Sequence, residues 1–227
     1  MSKNAVAVTK KVNEELVVKG LTNLVRSVKE ELESAKEYFE ANKDFGVDRY
    51  ASVSYVSKNQ RGRFIDHGND KEDLGDFIHA IFVSGAKMYT IWLEGEDRPL
   101  IQTADKSEAI DYIYEGKEKQ DPRFETIDED VIKQEYLADF VLLSEDDLSV
   151  IAQGGEVETI NLKRIKFSPV AKIRFDEYTQ KLFKGKFPEF KKGTTLNSVI
   201  TKVTTVDAKS KSNLSYINYA FAPVSEI

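Results

Sequence analysis

The chain has 227 residues, no cysteine and a net charge of −6, and 41% of its residues are hydrophobic. This composition is typical of a globular protein, and the lack of cysteine excludes disulfides, thiolate metal sites and cysteine nucleophiles. The sequence shows no signal-peptide core and no apolar run near the ~20 residues needed to cross a bilayer, so we expect a cytoplasmic protein without a membrane partner.

Charge is segregated along the sequence. Residues 101–150 hold fifteen acidic and five basic residues, a local charge of −10, whereas residues 161–213 hold thirteen basic and four acidic residues, a local charge of +9. Blocks of opposite sign can give a folded protein one basic face for a polyanion. The aromatic residues in and around the basic block favour nucleic acid as that polyanion.

The N-terminal part predicts a loose tail over residues 1–9 and a helical arm over 10–44, with Gly20 as a candidate break. Apolar residues there recur at alternating steps of four and three, which places them on one stripe of a helix: Leu21, Val25, Val28, Leu32, Ala35 and Phe39. The stripe leaves two interpretations open, packing on the same domain or a homodimer contact through the 10–42 helix.

Residues 45–227 predict a single β-rich domain. The predicted strands are rich in β-branched and aromatic residues and end at turn residues; they cover residues 50–57, 63–65, 77–83, 87–93, 99–103, 135–143, 157–167, 196–206 and 214–221. Residues 58–62 form a basic turn, residues 67–76 a polar loop, and residues 84–86 a turn that makes 77–93 a hairpin.

Two helices are predicted within this domain, over residues 107–115 and from Pro169 to about residue 183, where Ser168 is a suitable N-cap. Residues 116–131 form an acidic connection between elements. Because the predicted strands do not alternate regularly with helices, the sequence predicts an α+β, β-dominated fold. The leading architecture is an OB-like antiparallel barrel with an N-terminal helical arm and added helices.

Enzyme motifs are missing from the sequence. It contains no phosphate-binding loop, dinucleotide turn, nucleophile elbow or zinc-protease helix. His67 lies in a polar turn and His79 inside an apolar strand, and we interpret both as structural residues. Adjacent carboxylates at 128–130 and 145–147 keep a metal-dependent nuclease as an alternative. The main prediction is a protein without catalysis, metal or cofactor.

Cationic and aromatic residues are interleaved in the strand at 163–167 and in the loop at 184–192. Single-stranded nucleic acid suits this mixture, because cations follow the phosphates and aromatic rings stack on unpaired bases at ~1–3 kcal/mol each. The predicted nucleic-acid contacts are Lys58, Arg61, Arg63, Trp92, Arg98, Lys163, Arg164, Lys166, Arg174, Lys184, Lys186, Lys191, Lys192, Lys202, Tyr216 and Tyr219.

The aromatic residues have a second interpretation as core residues. It applies to Trp92, Tyr216 and Tyr219, and equally to four phenylalanines near the basic block: Phe167, Phe175, Phe183 and Phe187. Sequence alone does not separate a ring that stacks on a base from one that fills the core.

The order of elements resembles that of phage- and mobile-element-encoded single-stranded DNA-binding proteins with an OB-like barrel. The resemblance is carried by the basic hairpin at 53–64, the strand at 89–92 with the following Arg98, the 163–167 strand before Ser168 and Pro169, and the closing strands at 199–206 and 216–221. It implies a sequence-independent, non-catalytic coat that protects replication or recombination intermediates in the host cytoplasm.

The partners implied by the resemblance are single-stranded DNA, with RNA left open, and replication proteins. Such proteins often end in an acidic tail, whereas residues 222–227 contain one acid. The first alternative from another class is a non-enzymatic phage structural, assembly or inhibitor protein. In that case the basic block would dock on an acidic protein surface.

Overall fold

The computed structural model describes residues 3–42, 53–68, 71–93, 99–209 and 213–224, which form a β-rich α+β structure. Four α-helices are present among these residues: α1 (Lys3–Asn42), α2 (Lys106–Glu118), α3 (Glu145–Ala152) and α4 (Pro169–Phe183). The strands are β1 (Ser54–Lys58), β2 (Phe64–Asp66), β3 (Asp73–Gly75), β4 (Phe77–Ile91), β5 (Ile101–Thr103), β6 (Ile132–Leu143), β7 (Leu162–Phe167), β8 (Thr201–Lys209) and β9 (Ser215–Pro223).

The nine described strands form one mixed sheet in the order β3-β2-β1-β7-β6-β4-β8-β9, and β5 pairs with β4. Among these pairings β1 with β7 is parallel and the others are antiparallel. The sheet curls into a half-barrel. Its two ends approach each other, because the Thr205 hydroxyl on β8 donates a 3.0 Å hydrogen bond to the Gly62 carbonyl in the β1–β2 turn.

Helix α4 packs on the inner face of the curled sheet. Its inward residues are spaced by four, three and four positions, as one helix face requires: Ala171, Phe175, Tyr178 and Leu182. The Phe175 ring lies 4.8 to 5.2 Å from the rings of Phe82, Phe167 and Phe221. Near the other end of the helix, the Tyr178 hydroxyl lies 2.8 Å from that of Thr201. These contacts fix α4 against β8 and β9.

Helices α1 and α3 cover the opposite, outer face of the sheet. Leu24 and Val28 of α1 are 1% and 2% exposed and pack in a cluster with Ile81, Val141 and Ile151. Ile81 lies on this face because it alternates with Ala80 and Phe82 of the inner face. The middle of α1 therefore packs on its own domain, and a homodimer contact through residues 10–42 stays a prediction.

A separate cluster of buried apolar residues lies where β4 extends beyond the half-barrel. There α2 and the short 3₁₀ helix Pro122–Phe124 pack on Ile91 through Ile113 and Phe124. None of the four helices described combines the length and the apolar composition needed to cross a bilayer.

Helix α1 differs from its prediction at its start and at Gly20. It begins at Lys3, so most of the predicted tail over residues 1–9 is helical, and it continues through Gly20 without a break. Gly20 is buried because α1 and α3 approach closely there: a Cβ atom at this position would lie 2.5 Å from the Ile151 carbonyl oxygen. The residue serves helix packing and does not end the helix.

The predicted hairpin over 77–93 was wrong. Both halves belong to β4, which pairs with β6 from His79 opposite Leu143 to Ile91 opposite Ile132, with a register shift between Phe82 and Ser84. A β-bulge of this kind keeps a strand continuous across residues that otherwise favour a turn. The predicted strands at 50–57, 157–167 and 196–206 are also shifted or shortened, and residues 50–52 lie outside the described residues.

Gly20→Ala tests the close approach of α1 to α3. In an ordinary helix interior this change stabilises by about 1 kcal/mol. Here we expect Gly20→Ala to destabilise the protein, because the added Cβ meets backbone atoms of Ile151 that cannot rotate away. Thermal unfolding should show a lower Tm than the parent, whereas Lys29→Ala at an exposed position of the same helix should leave it nearly unchanged. A higher Tm for Gly20→Ala would contradict the packing of α1 on α3.

Candidate nucleic-acid interface

Five exposed lysines lie where α4 ends and in the loop that follows it. We call them the lysine surface: Lys181, Lys184, Lys186, Lys191 and Lys192. The loop folds back on the helix, because the Gly193 amide donates to the Phe183 carbonyl at 2.8 Å. Gly185 has a φ of +64°, and a Cβ there would lie 3.1 Å from the Lys192 nitrogen. Lysines from both ends of the loop are therefore neighbours.

The charge of the lysine surface is not neutralised within the described part of the chain. No carboxylate there forms an ion pair with any of its five ammonium groups, in contrast to Lys172, which pairs with Asp176 at 2.6 Å. The carboxyl end of a helix also favours nearby cations, since its free carbonyls carry partial negative charge. The surface is thus stable as a concentrated positive site.

One aromatic ring is exposed at this surface. Phe183 is 55% exposed, whereas Phe187 and Phe190 are half-buried and pack in the cluster of Tyr178 and Leu182. Phe183 immediately follows Leu182, the last inward position of α4, so its side chain lies about 100° away from the buried stripe. The site thus combines unpaired ammonium groups with an accessible ring.

The three cations of β7 are paired with carboxylates, which makes them less suited to the predicted phosphate contacts. Lys163 lies 2.5 Å from Asp66, and the two side chains are 12% and 10% exposed. Arg164 is buried and lies 2.6 Å from Asp139. Lys166 bonds Glu135 and lies 5.7 Å from the centre of the Trp92 ring. The antiparallel register of β6 and β7 causes this pairing, since Asp139 lies directly opposite Arg164.

In two of these pairs the surroundings favour the charged form of one partner, Asp66 in the first pair and Arg164 in the second. Burial opposes ionisation of Asp66, but hydrogen bonds from Lys163 and from the Gly68 amide outweigh it and lower its pKa below the usual value. Burial likewise disfavours the charge of Arg164, and its contacts with Asp139 outweigh this effect and raise its pKa. Removing one partner of such a pair would leave a buried charge uncompensated. The ion pairs of Lys163 and Arg164 are therefore structural.

The β1–β2 turn presents one free cation. Arg61 is exposed, and its side chain forms no ion pair with the described residues. Arg63 instead lies 2.8 Å from Asp73 and 3.1 Å from Asp76. The Lys58 ammonium group lies 5.5 Å from the centre of the Tyr219 ring. Of the three predicted contacts in this turn, Arg61 is the most accessible to a polyanion.

The remaining predicted contacts are dispersed. Arg174 is half-buried and precedes Lys181 by two helical turns on the same side of α4, so it extends the lysine surface. Lys202 lies on the outer face, 4.0 Å from the centre of the Phe77 ring. Tyr216 and Trp92 are half-buried, and Arg98 lies outside the described residues.

Tyr219 is a core residue, which argues against the predicted role as a stacking platform. It is 5% exposed, and its ring centre lies 6.0 Å from that of Phe64 and 5.8 Å from that of Phe167. In β9 it pairs with Thr205 on β8. A base therefore has no access to either face of this ring.

One carboxylate of each acidic cluster that suggested a nuclease has a structural partner. Ser144 and Asp147 form a capping box at the start of α3, and Asp128 lies 2.9 Å from Lys117 near the end of α2. Among the described residues no group of three histidine or carboxylate side chains converges to hold a metal ion. The structure therefore provides no support for metal chemistry at these positions.

Two residues at this site, Lys181 and Phe183, are not among the nucleic-acid contacts predicted from the sequence. The spacing of apolar residues in α4 could have predicted the exposure of Phe183. Positions 171, 175, 178 and 182 form the buried stripe, and position 183 lies outside it.

Comparison of the chain with family models, with curated proteins and with solved structures gave no match. The interpretation of the lysine surface therefore depends on its own geometry and charge.

The titration of Tyr219 tests its burial. Burial raises the pKa of Tyr219 to about 12, above the usual 10.0. Because the folded state holds this proton more tightly than the unfolded state, the stabilisation is complete below pH 10 and is lost as the pH rises from 10 to about 12. In Tyr219→Phe, the free energy of unfolding measured with urea should fall less steeply across this window.

Tyr114→Phe is the matched control, since the Tyr114 ring is 52% exposed. It should follow the parent curve. Part of the alkaline loss should persist in Tyr219→Phe, because burial also raises the pKa of Tyr178 to about 12. Parallel curves for Tyr219→Phe and the parent would place Tyr219 outside the core.

Proposed function

We propose that this protein is non-enzymatic and binds single-stranded nucleic acid, with DNA as the first candidate, through the lysine surface and without sequence preference. One observation carries the proposal. Five exposed lysines, unpaired among the described residues, are brought together from both ends of one loop beside the exposed ring of Phe183.

The residue types of the lysine surface favour phosphate contacts over base reading. Lysine ammonium groups act as point charges, whereas base recognition depends mostly on planar, bidentate side chains such as arginine, asparagine and glutamine. An exposed phenylalanine ring stacks on any unpaired base, which a duplex does not offer. This combination supports binding of single strands of any sequence.

The rest of the molecule restricts where a polyanion binds. The chain has a net charge of −6 and the five lysines contribute +5, so the remaining residues sum to −11 and on balance repel phosphates. The β7 cations are neutralised by Asp66, Asp139 and Glu135. A nucleic acid is therefore directed to the end of α4.

The biological role belongs to the same proposal. Protection of replication or recombination intermediates, kinship with phage single-stranded DNA-binding proteins, replication proteins as partners and an OB-like barrel are its further parts. They are supported by the curled, β-rich sheet with a basic turn and by the order of elements in the sequence.

Salt dependence tests the phosphate contacts. If each of the five lysines neutralises one phosphate, the log–log salt slope for a fluorescent oligothymidylate should be about −3.5, at about 0.7 per contact on a single strand. Replacing Lys184 and Lys192 by alanine should weaken binding to all sequences alike and reduce the slope by about 1.4. The control variant replaces Lys106 and Lys133, which are exposed on other elements. Equal slopes in the two variants would refute the proposed site.

Phe183→Ala tests base stacking at the lysine surface. We expect single-strand binding to weaken by ~1–3 kcal/mol, the contribution of one stacked ring. The Tm should change little, since the ring is 55% exposed, and Phe183→Trp should retain binding. Competition titrations with single-stranded and duplex DNA measure the effect. A loss of equal size for both forms of DNA, or no loss, would contradict base stacking on Phe183.

A further inference from the structure

Exposed cations lie near both ends of β9. The lysine surface adjoins its C-terminal half, because Phe221 packs in the cluster of Tyr178, Leu182 and Phe187. The β1–β2 turn adjoins its N-terminal half, because a Cβ atom on Gly62 would lie 3.6 Å from Cδ1 of Ile217. The strand thus connects two positively charged regions.

The second region consists of Arg61 and Lys209, which we call the hairpin cations. Both are exposed, and neither forms an ion pair with the described residues. Lys209 ends β8 and pairs with Ser215, the first residue of β9. The turn that carries Arg61 is held in place, since Thr205 donates its 3.0 Å hydrogen bond to the Gly62 carbonyl.

The distance between the two β9 residues that adjoin these regions suits a polynucleotide. Phe221 and Ile217 are four residues apart on β9, which corresponds to about 13 Å along a strand. At ~3.4 Å per phosphate, the spacing of a strand whose bases are stacked as in a duplex, this distance equals about four phosphates. Strand β9 is the last strand of the sheet and contains no charged residue, and its Ala220 and Ala222 have small side chains. A nucleic acid passing along β9 therefore meets no repelling charge on the strand itself.

We propose that a bound single strand runs from the lysine surface along β9 to the hairpin cations. The ligand class is then a strand longer than about four nucleotides, because a shorter one reaches only the lysine surface. This inference rests on the proposed function and adds a direction and a minimum length to it.

Oligothymidylates of two lengths test this path, one of about four nucleotides and one of about twenty, which exceeds the usual site of a single domain. Replacing Arg61 and Lys209 by alanine should weaken binding of the long strand severalfold and reduce its salt slope by about 1.4. Binding of the short strand should not change. The Lys184 and Lys192 variant should weaken both lengths, and the Lys106 and Lys133 control neither.

Each outcome decides between the two proposals. If the parent protein binds neither length, the proposed function fails. If the parent binds both and the Arg61 and Lys209 variant matches it on the long strand, the path along β9 is overturned while the function stands. Equal weakening of both lengths also overturns the path. Glutamine at the same two positions gives a second variant, and unchanged thermal unfolding shows that each variant is folded.

Discussion

The structure depends on the packing of α4 into the curled sheet. Phe175 and Tyr178 bring α4 against Phe82, Phe167 and Phe221, so that one helix holds β4, β7 and β9 together. Fully burying an aromatic or large aliphatic side chain contributes about 1.5–3 kcal/mol, which makes this cluster a major source of stability. The same packing sets the place of the candidate site, because the lysine surface begins where α4 leaves the sheet.

The distribution of charge in space differs from its distribution in the sequence. The acidic and basic blocks meet in the sheet, where Asp139 pairs with Arg164 and Glu135 with Lys166. Together with the pair of Lys163 and Asp66, these pairs neutralise the cations of β7. The loop after α4 keeps four lysines without an ion pair to the described residues: Lys184, Lys186, Lys191 and Lys192. The net charge of a sequence block therefore overstates how basic the folded surface is, because the register of the strands places some of its cations opposite carboxylates.

Elements with local signals were predictable from the sequence. Ser168 and Pro169 marked the start of α4, and alternating apolar residues marked the β8–β9 pair. Features decided by distant residues were not predictable. The continuity of β4 depends on β6, and the burial of Lys163 depends on Asp66, which is almost a hundred residues away. Within the candidate site, Lys184, Lys186, Lys191 and Lys192 were predicted, whereas the exposure of Phe183 required the orientation of α4.

The parallel pairing of β1 with β7 constrains how the chain assembles. Strand β7 lies between β1 and β6, and Ser54 pairs with Lys163, so the first hairpin joins the sheet through residues more than a hundred positions later. Closing a loop of this length is entropically costly and slow. During synthesis, the β1–β2 hairpin must wait for most of the protein to leave the ribosome. Until then its apolar residues Val56 and Phe64 lack their native cover, and apolar surface exposed in this way favours aggregation of the nascent chain.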